Sequence, residues 1–253
     1  MLKSRALRVA ALAALTTLPC VAACNAAGTV SVNPTRLAID RSGTSADLAV
    51  GNDGADPLRF SVHAYRWHQH SDGSTDLQPT DDLVVFPQSF VLQGLEQRVI
   101  RVGFTGTVQP VEQAYRIIVN QLPAFSQTPM HGMGLTIRTA FSIPLFVSNV
   151  EPRVATSITA LAARPNVVAF DVRNDGNTHV VVGAVHVRGQ DQAGSTLFDR
   201  TLNGWYVLPS EPRRFNVPLT GAACRQLERV TVDLAVNGQN RPLHVMERPA
   251  KTC

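Results

Sequence analysis

Three histidines are the first residues whose type and spacing suggest chemistry. His63, His68 and His70 stand close together, and in an extended strand His68 and His70 share one face. Imidazoles at that spacing suit copper or zinc. Polar side chains near the end of an outward strand face are the plainer reading, and no metal is assigned. Nucleophilic chemistry has less to stand on. Ser42-Gly43-Thr44 and Gly194-Ser195-Thr196 read as turns, and there is no G-x-S-x-G elbow. Neither a P-loop nor a dinucleotide-binding glycine pattern is present, so no cofactor and no enzyme are expected. Trp67 and Trp205 read as packing anchors rather than a sugar platform.

The next candidates are apolar and need a strand to present them. In residues 135–147, LTIRTAFSIPLFV, period-2 alternation puts Leu135, Ile137, Thr139, Phe141 and Ile143 on one face. Thr136, Arg138, Ala140 and Ser142 fall on the other. At ~3.3 Å per residue such a strand spans about 43 Å, far beyond the usual length. Either the domain's own second sheet covers that apolar face, or part of it is offered to another protein's sheet.

The first 27 residues differ from the rest. Lys3, Arg5 and Arg8 precede an apolar run and then small residues, the pattern of a secretory signal peptide. Val21-Ala22-Ala23-Cys24 also resembles a lipoprotein box, which would make Cys24 a lipid anchor. The formal charge of +4 owes most to this leader, which holds three of the 23 basic residues and no acid. The remainder is near neutral, which removes the argument for nucleic acid. No later run of eighteen apolar residues predicts a membrane span. Beyond the leader, Cys224 and Cys253 remain, and in an oxidising compartment two lone thiols pair. A disulfide tying residue 253 to an earlier strand would close a loop of about thirty residues and contribute roughly 3–4 kcal/mol.

Short alternating segments separated by Gly, Pro, Asn and Asp recur along both halves, with no convincing helix. One opening strand is expected over 29–39 with Pro34 at an edge or bulge, and further strands, Leu83–Phe86 and Gln97–Phe104 among them, follow at hairpin spacing to residue 147. A linker at 149–153 leads to a second series, with a strong hairpin signal at Asn237-Gly238. The halves share an architecture but no evident sequence repeat. The expectation is an all-β chain of two immunoglobulin-like sandwiches, residues 28–148 and 149–253, after a signal peptide at 1–27.

Five segments in order resemble the periplasmic chaperones of chaperone–usher pilus assembly, the PapD-like group. These are Val30-Ser31-Val32-Asn33-Pro34-Thr35-Arg36; Pro87-Gln88-Ser89-Phe90-Val91-Leu92 followed by Gln97-Arg98-Val99-Ile100-Arg101-Val102; and Tyr115-Arg116-Ile117-Ile118-Val119-Asn120-Gln121-Leu122-Pro123. Ile143-Pro144-Leu145-Phe146-Val147 resembles the end of the long strand in the archaic, or alternative, branch. Val172-Arg173-Asn174-Asp175-Gly176-Asn177-Thr178-His179 is similar to a turn of the second domain.

The resemblance implies two such domains in an L-shaped arrangement, in the periplasm. Its clients are pilin subunits, and delivery is to an outer-membrane usher. Pilins lack their last strand, and the chaperone's long strand, here Leu135, Ile137, Thr139, Phe141 and Ile143, supplies one by strand addition. Arg36 falls where the family clamps the client's C-terminal carboxylate, a task that suits a planar guanidinium fork. Pro144 stands where a lysine is usual, leaving Arg116 and Arg138 as candidate replacements. Glu112 falls where an acidic residue joins the two domains; Ser148 stands at its partner's position, and Arg153 is a substitute. The alternative function is a secreted immunoglobulin-like binding or metal-handling protein without a pilin client.

Overall fold

The computed structural model describes residues 30–40, 43–123, 137–247 and 249–253. The expected signal peptide, Cys24 and Leu135 lie outside them. Ten strands build the first domain: β1 (Val30–Asn33), β2 (Leu37–Ile39), β3 (Ser45–Asn52), β4 (Leu58–Gln69), β5 (Thr75–Pro79), β6 (Leu83–Phe86), β7 (Ser89–Leu92), β8 (Gln97–Phe104), β9 (Gln113–Leu122) and β10 (Ala140–Val147). One sheet runs β1-β3-β8-β6; the facing one runs β2-β10-β9-β4-β5, with β7 beside β4. Between them lies a core that includes Leu48, Val50, Phe60, Ile100, Ile117 and Leu145, all removed from solvent.

Nine more strands and one helix follow: β11 (Thr156–Arg164), β12 (Val167–Asn174), β13 (Val180–Gln190), β14 (Thr196–Asn203), β15 (Tyr206–Val207), β16 (Pro212–Pro218), α1 (Gly221–Gln226), β17 (Arg229–Val236), β18 (Gln239–Glu247) and β19 (Ala250–Lys251). Sheets β16-β12-β11-β19 and β14-β13-β17-β18, with β15 beside β13, enclose a second core around Phe170, Val185 and Val232. The fold is therefore two immunoglobulin-like sandwiches. Asn237 and Gly238 both take positive φ, 54° and 68°, in the hairpin between β17 and β18, as a primed turn demands.

Four expectations need correction. The opening segment is not one strand: at Asn33–Pro34 it leaves one sheet and re-enters the other as β2. Proline donates no N–H to a ladder, so a switch of sheets there leaves no donor unpaired. Among the described residues of the long strand, regular pairing begins only at Ala140, leaving residues 137–139 outside it. Helix α1 was missed because six residues are too few to show a helical period; the Thr220 side chain accepts from Ala223 N at its start. It carries Cys224, which is bonded to Cys253 across a Cα separation of 5.9 Å, so the disulfide joins the chain end to a helix rather than a strand.

The fourth correction concerns repeats. Asn52-Asp53-Gly54 and Asn174-Asp175-Gly176 occupy the same place in the two domains, after β3 and after β12. In each, the buried asparagine Oδ1 accepts from the glycine N two residues on. Its Nδ2 donates to a carbonyl four residues on and to another far along the chain. One turn serves both domains, and the three identical residues were the signal for it.

Candidate functional site

Strand β10 has unequal neighbours. Along its whole length it pairs with β9, from Ala140↔Asn120 to Val147↔Gln113. On its other side β2 covers only Leu145, Phe146 and Val147, in parallel. From Ala140 to Pro144 that side has no strand among the described residues. Hydrogen bonds fix which groups face it. Gln121 N donates to Thr139 O, and Ser148 N to Ile39 O. Odd-numbered residues of β10 therefore bond to β9, and even-numbered ones point to the other side. Ala140 offers N–H and C=O to the open edge, Ser142 its N–H and a carbonyl that also accepts from a side chain of β9, and Pro144 a carbonyl alone.

The apolar row divides along this strand. Ile143 is 5% exposed inside its own domain's core, with Leu145 and Val147. Phe141 is half-buried against the same core. Ile137 is 78% exposed, unusual for an isoleucine. Ile137 and Thr139 precede the regular strand, although the Gln121 side chain still accepts from Thr139 N.

The opposite face of β10 carries the charge. Arg116 of β9 lies directly across from Pro144. Leu145 pairs with Leu37, so Arg36, one residue before β2, comes level with Pro144 on the other flank. The three residues thus form a row across the sheet at strand spacings of ~4.8 Å. Register, which a sequence does not display, makes Arg116 the neighbour of the missing lysine's position. Its guanidinium is buried, lying 3.7 Å from the Trp67 ring centroid and 5.9 Å from that of Tyr206. Nη1 donates to Ser142 O at 3.3 Å, and Nε has no partner. Burial lowers its pKa from the ordinary value, with Tyr206 acting the other way. A cation held in aromatic surroundings without a carboxylate can accept an anion at little further desolvation cost. Arg36 and Arg138 are exposed and form no ion pair with a described residue.

Contacts between the domains frame this face. Glu112, its side chain 6% exposed, accepts from Thr178 Oγ1, from His179 N and, at 2.6 Å, from His179 Nδ1. The partner is therefore His179 rather than Arg153, from the turn that the second asparagine shapes. His179 stacks on Phe146 of β10, ring centroids 3.6 Å apart. Trp67, Phe146 and Tyr206 complete the cluster, and Gln69 Nε2 donates to Tyr206 O. Trp67 is a packing anchor, as expected.

Strand β9 is braced from behind. Tyr115 OH donates to Asp82, which also pairs with Arg66, and Gln113 Nε2 donates to Tyr115 OH. Burial alone would push the Asp82 carboxyl up, but the Tyr115 hydroxyl and Arg66 guanidinium bring it below its ordinary value. A depressed carboxylate contributes stability that is present above its unfolded value of about 3.9 and lost as pH falls through the folded one. Asp82→Asn should therefore flatten the fall in urea stability as pH drops below about 4. An unchanged profile would remove Asp82 from that role.

Among the described residues no three of His, Cys, Asp and Glu are placed to hold a metal. His68 lies within β4 and His70 just beyond it. The metal-handling alternative thus has no ligand set among them.

Residues 29–150 match the sequence family described as pili and flagellar-assembly chaperone, PapD N-terminal domain. No curated protein is similar enough in sequence to count as a relative. Solved structures share the fold at low identity. The class 5 fimbriae chaperone CfaA is 13% identical with a TM-score of 0.57, covering 88% of this chain and 99% of that one. A chain of the CsuC–CsuE chaperone–tip adhesion subunit pre-assembly complex from the archaic chaperone–usher Csu pili of Acinetobacter baumannii is 14% identical at 0.59, covering 86% and 97%. A chain of the Salmonella enterica SafA pilin–SafB chaperone complex is 17% identical at 0.56, covering 87% and 96%. Residues 29–150, the first domain, therefore belong to the PapD N-terminal family of pili and flagellar-assembly chaperones, and both domains carry the fold of such chaperones.

Proposed function

We propose that this chaperone works in the periplasm, holds pilin subunits by adding the open edge of β10 to their unfinished sheet, and passes them to an outer-membrane usher. The observation that carries the reading is the edge itself: among the described residues Ala140 to Pro144 have no second strand neighbour, beside an exposed Ile137 and a row of two arginines. Backbone groups of Ala140 and Ser142 supply adhesion that is indifferent to side chains. Leu135, Ile137, Thr139 and Phe141 enter the client groove, while Ile143 anchors the strand in its own core. Arg36 and Arg116 grip the client's terminal carboxylate from the two flanks of Pro144.

Usher recognition needs a surface that a bound client leaves free. Val84, Phe86 and Val99 are 56%, 75% and 55% exposed on the β1-β3-β8-β6 sheet, the layer that does not contain β10. Exposed apolar side chains on one sheet suit a protein contact, and the usher is the partner we assign to them.

Co-expression with a pilin subunit tests the clamp. Arg36→Ala and Arg116→Ala each remove one partner of a charge-assisted contact, worth about 2 kcal/mol or more, roughly thirty-fold in affinity. The double variant should release the pilin altogether. Full co-purification by the double variant would defeat the assignment.

A further inference from the structure

Trp205 is half exposed, at 47%, and nothing described so far uses its ring. Its backbone is fixed. Val182 N donates to Trp205 O, and Gly204 presses so closely on β13 that a Cβ there would stand 2.1 Å from the carbonyl oxygens of Val182 and Gly183. The indole meets the Tyr206 ring edge-on, 5.5 Å between centroids and 89° between planes. Tyr206 in turn is the ring beside the Arg116 guanidinium. The second domain therefore holds an exposed, braced indole one ring further from the proposed carboxylate clamp than Tyr206.

We propose that Trp205 reads the client: it packs against the side chain of a residue two to four positions before the client's C-terminus and favours aromatic or large aliphatic groups there. The inference rests on the clamp reading. A client tail held at Arg36 and Arg116 extends at ~3.3 Å per residue, and the two steps from the Arg116 guanidinium to Tyr206 and on to Trp205, 5.9 and 5.5 Å, lie within the reach of two to four residues. Tryptophan suits the task because it offers a large rigid surface and loses little conformational freedom on contact. Its exposure in the absence of a client follows from the same role.

The probes are synthetic twelve-residue peptides with alternating apolar residues and a free C-terminal carboxylate. The third residue from the end is Phe, Leu, Ser or Asp, and each sequence is also made as the C-terminal amide. Binding to the full chain is measured by fluorescence anisotropy of an N-terminal dye. Phe and Leu peptides should bind three- to tenfold more tightly than Ser and Asp peptides. Trp205→Ala should erase that preference and Trp205→Phe restore most of it, with the acid still preferred over the amide in every variant. If the acid is preferred but Trp205→Ala keeps the side-chain preference, the Trp205 proposal is overturned and the clamp stands. If acid and amide bind alike, or no peptide binds, both fall.

Discussion

Ile137→Asp should abolish co-purification of a pilin while leaving the chaperone as stable as before. Its side chain is 78% exposed, so the folded chain loses almost no packing, and surface changes of this type usually stay within about 0.5 kcal/mol. In the complex two losses add. An isoleucine buried in a client groove contributes ~1.5–3 kcal/mol, and a carboxylate placed there costs several more. Together these exceed about 5 kcal/mol, more than a thousand-fold in affinity. Ile137→Leu should keep the client, showing that apolar volume is what matters. Ile143→Asp offers the contrast: at 5% exposure it should damage the chaperone's own core before any client is involved. Pilin recovered in ordinary yield with Ile137→Asp would end the strand-donation reading.

Asn174→Ala should lower the stability of the second domain by about 3 kcal/mol, measured by urea unfolding. The side chain is fully buried. Its loss strands Gly176 N and the carbonyls of Thr178 and Val207, each buried or partly so. An unsatisfied buried group costs about 1–3 kcal/mol. Gly176 is already packed so that a Cβ would lie 2.2 Å from Arg153 O. The damage should spread to the domain junction, because the same turn delivers Thr178 and His179 to Glu112. Asn52→Ala should produce a matching loss in the first domain, through Asp56 O, Gln93 O and Gly54 N. A shift under about 0.5 kcal/mol in either would show the turn to be held by other means.

How far the sequence alone carries the reading depends on the range of the interaction concerned. Alternation placed Leu83–Phe86 and Gln97–Phe104 with the bounds the fold has, because one face of each meets the core and the other meets water. The Asn237-Gly238 hairpin was legible because its backbone needs positive φ at both positions. Tyr206–Val207 is too short to show a period, and Phe90-Val91-Leu92 form an unbroken apolar run with no alternation to read. The site was half legible. Arg36 and the apolar row stand out locally, but Arg116 as the neighbour of Pro144 emerges only from the pairing of β9 with β10, across 28 residues of chain. The Glu112–His179 contact, 67 residues apart, needs both domains in place.

Pro144 has a consequence for any strand laid along the open edge. It is the last residue before β2 takes over that side, and it has no N–H to give. The incoming ladder therefore stops there, and a tail one residue too long meets occupied backbone. Sliding back by one residue would turn every side chain of the guest to the wrong face. If the proposed clamp holds, the proline and the two guanidiniums beside it would act as a ruler with a fixed zero, measuring a guest from its terminus inward.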